Sequence, residues 1–314
     1  MIVVAGYAYR GHLIFSRNEE LTFVEICFMM RFSLAGLIVF ITVNDSVKCM
    51  VLRPTQRFLV INCEDIPWEP ISFSDMYEQN LSRDDDSWAT CNLALGDALP
   101  HDICEYNGVI LTGSHYNCRK REKYFQWYEG LMDLVREIAA NGKPNLFGGC
   151  FGHNLIALAL GGTVGFNPNK KYVLQIDRLI TNKNFQGMFE AEEKNLYQNV
   201  LEEYSIISTH EDCVTELPYT ATLLGSTVNC ENHFFVAGEN QNILALQSHP
   251  EFNLQYAVLD RIWIGVVKKR RLLSDEECSF SMKSFENYDD SDAKKMCNVI
   301  SWFLRTEHAN LLQE

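Results

Sequence analysis

The 314-residue sequence is short of positive charge: 27 lysines and arginines face 41 aspartates and glutamates, a formal net charge of −14 at pH 7. So acidic a chain argues against general binding to nucleic acid or to anionic membranes. It also lacks an apolar run of membrane-spanning length. The nearest approach, LTFVEICFMMRFSLAGLIVFITV (21–43), is interrupted by Glu25 and Arg31. Its longest uncharged part, Phe32 to Val43, is well short of the ~20 residues that cross a bilayer. No A-x-A-like cleavage site follows at signal-peptide distance. Repeats, low-complexity tracts and a phosphate-cradling G-x-x-x-x-G-K-[ST] loop are all missing. The eleven cysteines are odd in number and irregularly spaced, which speaks against a disulfide framework and for reduced thiols. The expected compartment is the cytoplasm, and the expected partner a small molecule or a protein.

What is present is a globular composition, 47% hydrophobic and 12% aromatic. At ~100–200 residues per domain, the length suits one large domain or two small ones. Residues 1–52 are read as an N-terminal extension, packed on or tethered to a main domain spanning 53–314. Met50 is a candidate natural start, because MVLRPTQRFLVINCED opens with basic and polar residues and runs into a strand.

From residue 57 the chain alternates short apolar runs with longer amphipathic ones, the pattern of a parallel sheet covered by helices. RFLVINC (57–63), Ala89–Leu95 and GVILT (108–112) are the first three expected strands. Residues 122–140 repeat apolar side chains at a helical period and stop at Asn141-Gly142 with Pro144 beyond. A fourth strand enters at Asn145–Phe147, followed by a turn at Cys150 and a helix through LIALALGG. Further on, 172–181 alternates like a strand open on one face. The segments 221–228 and 233–238 read as a hairpin, and 242–252 as a strand ending in a polar cluster. Residues 272–290 are expected as an exposed loop. Residues 291–307 place Met296, Val299, Ile300, Phe303 and Leu304 on one helical stripe. The fold class is therefore α/β: a doubly wound, mostly parallel sheet with helices on both faces and its site at the carboxyl ends of the strands.

One stretch carries chemistry. Gly148-Gly149-Cys150-Phe151-Gly152 sets a thiol between glycines at a strand-to-helix seam, the setting of a nucleophile elbow. A cysteine at a helix N-terminus is placed where amides and dipole favour thiolate. Phe151 N–H supplies one oxyanion donor, and the Gly113-Ser114 loop after the third strand is the expected source of the second. The base and its orienting group come from QSHPEF, as His249 and Glu251. In extended chain positions i and i+2 face one side, so both could reach one spot above the sheet edge. Cys150, His249 and Glu251 together imply acyl transfer through a thioester.

TGS, G-x-C-x-G and S-H-P-E, in that order, resemble the motifs of the class I glutamine amidotransferases over some four fifths of the chain. Within that superfamily RFLVINCED (57–65), STHEDCVTELP (208–218) and ILALQSHPEF (243–252) are most similar to free-standing gamma-glutamyl peptidases. The resemblance implies a flavodoxin-like fold and a cysteine hydrolase that cleaves gamma-glutamyl amide bonds through a gamma-glutamyl thioester on Cys150. It further implies a substrate of glutamine or a gamma-glutamyl peptide such as a glutathione conjugate, and no cofactor. A synthetase partner is possible but not required. His210 would border the substrate pocket, though a turn or capping role stays open, and Asn154 occupies the place of the family's glutamine. A second departure is Gly149, where the family usually has an aliphatic side chain, so lost packing is expected to loosen the elbow. The competing reading is a catalytically impaired binding or regulatory protein of the same fold. Two His-x-x-Cys pairs, 101–104 and 115–118, flank the third strand and are expected at its opposite ends, so no metal site is assigned. The basic runs Arg119-Lys120-Arg121-Lys123 and 268–271 are read as solvated helix ends.

Overall fold

The computed structural model describes residues 8–17, 20–33, 36–43, 46–52, 55–67, 71–119, 126–189, 198–252, 263, 265 and 269–306. The chain divides into two units, Met1–Thr55 and Gln56–Glu314. The first carries four antiparallel strands in sequential order: β1 (Ala8–Arg17), β2 (Glu20–Ser33), β3 (Gly36–Val43) and β4 (Ser46–Leu52). The apolar stretch 21–43 thus runs through two strands, pairing Met29 with Phe40 and Ser33 with Gly36. Among the described residues no helix is long and apolar enough to cross a membrane.

The second unit is built on a nine-stranded sheet. Its first half alternates strand and helix: β5 (Arg57–Ile61), α1 (Phe73–Leu81), β6 (Ser87–Cys91), β7 (Gly108–Leu111), α2 (Gln126–Asn141), β8 (Asn145–Gly149) and α3 (Phe151–Ala159). Then follow β9 (Thr163–Phe166), β10 (Val173–Thr181), α4 (Lys183–Gly187), β11 (Glu203–His210), β12 (Asp212–Glu216), β13 (Thr222–Thr227), β14 (Cys230–Ala237) and β15 (Ile243–Leu246). Helices α5 (Asp275–Phe285) and α6 (Ser291–Phe303) close the described chain. The sheet order is β11-β10-β13-β14-β15-β8-β7-β5-β6, with a separate pair β12-β9. From β6 to β15 every neighbouring pair is parallel, and beyond β15 every pair is antiparallel. The parallel five are thus ordered second, first, third, fourth, fifth, the flavodoxin-like winding.

Side-chain alternation along the strands explains the two faces. Phe58, Val60, Ile110, Phe147, Leu244 and Leu246 point to the core shared with α1 and α6. Their neighbours Leu59, Ile61, Val109, Leu111, Leu146 and Ala245 point to the core shared with α2 and α3. The expected stripe on α6 is buried throughout: Met296, Val299, Ile300, Phe303 and Leu304 are each at most 1% exposed. Each such side chain contributes about 1.5–3 kcal/mol on leaving water, which fastens α6 to the sheet.

Two expectations need correcting. Residues 272–290 are not a loop: α5 occupies 275–285, started by a reciprocal cap between Ser274 and Glu277. The spacing Ser-x-x-Glu is a helix-start signal that outweighs the acidic, serine-rich composition. The strand expected at 89–95 is shorter, because the chain leaves the sheet after Cys91 and makes a 3-10 turn over Leu93–Leu95.

Candidate active site

Three adjacent parallel strands, β7, β8 and β15, deliver the site to one sheet edge. Cys150 follows β8 and caps the N-terminus of α3 with φ 48° and ψ −97°, a left-handed backbone that a side chain rarely adopts. Hydrogen bonds over-determine this strained turn: Cys150 N donates to Leu246 O at the end of β15 (2.9 Å), and Asn154 N donates to Cys150 O (3.1 Å). Gly152 lets α3 press against β7, since a Cβ there would lie 2.6 Å from Leu111 O. The sulfur lies 3.7 Å from Thr209 O at the end of β11.

His249 and Glu251 follow β15, both almost fully buried. They meet through a turn rather than along an extended strand. Phe252 N donates to His249 O (3.2 Å), and the imidazole Nδ1 reaches Glu251 Oε1 across that turn at 2.8 Å. The Phe252 ring stacks flat on the imidazole, 4.2 Å between centroids and 6° between planes. Burial opposes charging the ring, but the Glu251 carboxylate and the Cys150 sulfur beside it outweigh burial and raise the His249 pKa to about 10. A single small residue joins the three strands' contributions. A Cβ on Gly113 would lie 2.9 Å from His249 Cε1 and 3.6 Å from Cys150 Cβ, so the space beside Gly113 is filled by the imidazole and the Cys150 side chain.

The loop after β7 is held from the end of β5. Cys63 N donates to Thr112 Oγ1 (2.9 Å), His115 N donates to Glu64 Oε2 (2.8 Å), and His115 Nδ1 meets Glu64 Oε1 at 2.6 Å. These contacts explain why RFLVINCED matters to a site none of its side chains enters. Glu64, Asp65 and His115 form the single His/Cys/Asp/Glu grouping of metal-ligand geometry among the described residues. The loop already uses those atoms, with Ile66 N also on Glu64 and the Tyr116 hydroxyl on Asp65, so the set is a clamp rather than a vacant donor cage.

Ser114, Cys150, Phe151, Asn154 and His210 border one cavity of about 60 Å³, and Gly113, His249 and Glu251 are not part of its lining. His210 fills the turn between β11 and β12, its Nδ1 on Asp212 O at 3.0 Å, and its buried Nε2 has no partner. Burial drives its pKa down to about 3, so the ring is neutral and Nε2 is an acceptor. Asn154 meets His153 Nδ1 at 3.2 Å. Sequence reasoning missed three further lining or supporting residues: Tyr172, whose hydroxyl meets Thr209 Oγ1 at 2.8 Å, Arg270 at the cavity, and Phe252 on the imidazole. Of these only Phe252 had a local signal, its place in QSHPEF. Arg119 is not a free helix end: it bonds Asp212 Oδ1 at 2.6 Å and lies 3.6 Å over the Phe166 ring. Lys120, Arg121, Lys123 and Lys268 fall outside the described residues. A larger cavity of about 460 Å³, lined by Asn107, Pro144, Asn145 and Arg305, opens at the amino ends of β7 and β8, away from the thiol.

Comparison with known proteins identifies the family. A Saccharomyces cerevisiae protein named as a glutamine amidotransferase is 30% identical over 203 residues, 64% of this chain and 73% of its own. Gamma-glutamyl peptidase 3 of Arabidopsis thaliana is 28% identical over 166 residues, 52% of this chain and 62% of its own. A solved glutamine amidotransferase from Thermotoga maritima superposes with a TM-score of 0.61 at 17% identity, covering 81% of this chain and all of that one, a likeness of fold. The profile of the family described as "Glutamine amidotransferase class-I" matches residues 89–258, which include the Gly113–Ser114 loop, the strand-to-helix turn at Cys150 and the His249–Glu251 turn. The chain belongs to the class-I glutamine amidotransferase family.

Proposed function

We propose that the protein is a cysteine hydrolase of gamma-glutamyl amide bonds. His249 accepts the Cys150 proton, and the sulfur attacks the delta-carbonyl of a gamma-glutamyl amide. The developing oxyanion is met by Phe151 N–H and the Gly113–Ser114 loop, donors of a kind worth about 3–4 kcal/mol each in the transition state. The tetrahedral intermediate collapses as the imidazolium returns its proton to the leaving amine, leaving a gamma-glutamyl thioester on Cys150. Water, deprotonated by the same ring, then releases glutamate and restores the thiol. Glu251 keeps Nδ1 protonated, which commits Nε2 to these transfers.

The observation that carries this reading is the shared contact at Gly113, within van der Waals reach of both the His249 ring and the Cys150 side chain, which supports a base, a nucleophile and an oxyanion loop acting together. The cavity composition supports the glutamyl end of the substrate. Glu211 and Asp212 offer acceptors for an α-ammonium group, Arg270 a donor for an α-carboxylate, and His210 Nε2 a neutral acceptor between them. The named activity of the plant relative points to peptides as well as glutamine. Nine of the eleven cysteines, all of them in the second unit, are free, which suits a reducing compartment such as the cytoplasm. The test is glutamate release from glutamine and from glutathione, with labelling by a gamma-glutamyl chloromethyl ketone read by mass spectrometry. Turnover of either substrate, with labelling at Cys150 that His249→Ala abolishes, supports the hydrolase. A folded protein with an unlabelled Cys150 and no turnover makes it a binding protein of the same fold.

A further inference from the structure

The strand leading to the nucleophile ends in a glycine, and the space a side chain would fill there is occupied from another element. A Cβ on Gly149 would overlap the Tyr77 hydroxyl and lie 3.7 Å from the ring carbon that bears it. The lost packing expected at Gly149 is therefore made up by a phenol from α1. Tyr77 is 1% exposed, with its ring edge-on to Phe147 at 6.1 Å. A reciprocal cap between Ser72 and Asp75 fixes the start of α1. Two more of its residues reach the turn that carries the catalytic pair: Asn80 Nδ2 donates to Glu251 O at 3.2 Å, and the Phe73 ring lies 5.6 Å from that of Phe252.

Tyr77 Oη and Glu251 Oε2 are both buried without a hydrogen-bond partner, Oε1 being the oxygen that holds His249. Burial first, and then the nearby Glu251 carboxylate, push the phenol pKa well above its ordinary value, so the hydroxyl keeps its proton and remains a donor. A buried donor and a buried acceptor without partners each carry a desolvation penalty that pairing with one another removes.

We propose that Tyr77 is a positioning residue for the Cys150–His249–Glu251 unit, its hydroxyl filling the space beside Gly149 and donating to Glu251 Oε2. The carboxylate, and through it the imidazole, is then oriented from both oxygens. This role rests on the reading of the three residues as one catalytic unit. Gly149 and Tyr77 are in this sense one feature: the absent side chain makes room for the hydroxyl.

The experiment compares the full chain with its Tyr77→Phe variant. Iodoacetamide alkylation of Cys150 is followed by mass spectrometry across pH, and melting temperatures are measured for Gly149→Ala in both backgrounds. A carboxylate held from only one oxygen stabilises the His249 imidazolium less, so Tyr77→Phe moves the acid limb of alkylation upward by about half a pH unit or more. Glutamate release falls about tenfold in kcat, with KM within twofold, as expected of sub-ångström misplacement. Gly149→Ala lowers the melting temperature of the parent, and by less than half as much in the Tyr77→Phe background, where the overlapping oxygen is gone. An unchanged alkylation profile in folded Tyr77→Phe, or an equal penalty for Gly149→Ala in both backgrounds, overturns the role given to Tyr77. Failure of the parent's Cys150 to react at any pH overturns the catalytic reading itself.

Discussion

His249 and the trio His153, His210 and His233 are equally hidden from water, yet they hold opposite charge preferences. The trio sits among neutral groups. His153 faces Asn232 O and Asn154, His210 faces Asp212 O, and His233 lies between Thr227 and Ser248. Burial dominates there and lowers the pKa to about 4 for His153, to about 3 for His210 and well below the ordinary value for His233. His249 has a buried carboxylate at 2.8 Å and a sulfur on its other side, and its pKa rises instead. Depth alone therefore does not single out His249, the proposed base, from the other buried histidines. The mark is a fixed anionic partner strong enough to reverse the effect of depth.

That contrast can be broken in graded ways. Removing the chemistry outright with Cys150→Ala or His249→Ala should lower glutamate release by about 10⁴-fold or more, measured as kcat/KM on whichever gamma-glutamyl substrate is turned over. Glu251→Gln should turn His249 into a fourth member of the trio. It keeps the shape while removing the charge, and should cost about 10³-fold in kcat, with the iodoacetamide reactivity of Cys150 falling in parallel. Gly113→Ala leaves every charge in place and moves only the ring, because its Cβ would meet Cε1 at 2.9 Å. About 10- to 100-fold lower kcat is expected, with a lower melting temperature from the overpacked ring.

The smallest effects lie in stability against pH, and their signs differ between the two regions. For the trio the folded pKa lies below the unfolded value of about 6.5. Stability is therefore lost as pH falls from about 6.5 toward 3–4, by up to about 1.4 kcal/mol per pH unit for each ring. Asp177 and Asp212, whose pKa values burial raises, offset part of that loss. His153→Gln should flatten the slope of melting temperature between pH 6.5 and 4.5. For His249 the folded pKa lies above the unfolded one. Its contribution is complete below about pH 6.5 and fades as pH rises toward about 10, and Glu251→Gln should abolish that alkaline decline.

Much of this was legible in the sequence because the informative groups are local. The elbow, the Gly113–Ser114 loop and His249-Pro250-Glu251 each lie within a few residues, and α2 and α6 announce themselves by a 3.6-residue period. The antiparallel half was legible where a hairpin kept strands adjacent, as in β13 and β14, and where one face alternated openly, as in β10. Strands β9, β11 and β12 pair across long connections and left no local pattern. The support from α1 was invisible for the same reason: Tyr77 lies about 170 residues from Glu251 in sequence, and nothing near either residue names the other. The cap at Ser274 was legible and simply outvoted by composition.

The unusual backbone at position 150 has a consequence for anyone wishing to trap a bound substrate. A dead variant ending in alanine keeps a Cβ in the mirror-image region of conformational space, with φ still near 48°. A glycine there relaxes into the same turn without that penalty, on the order of 1–3 kcal/mol. Cys150→Gly should accordingly melt higher than Cys150→Ala, and if it does, the native protein carries a standing backbone tension at position 150 that removal of the side chain releases.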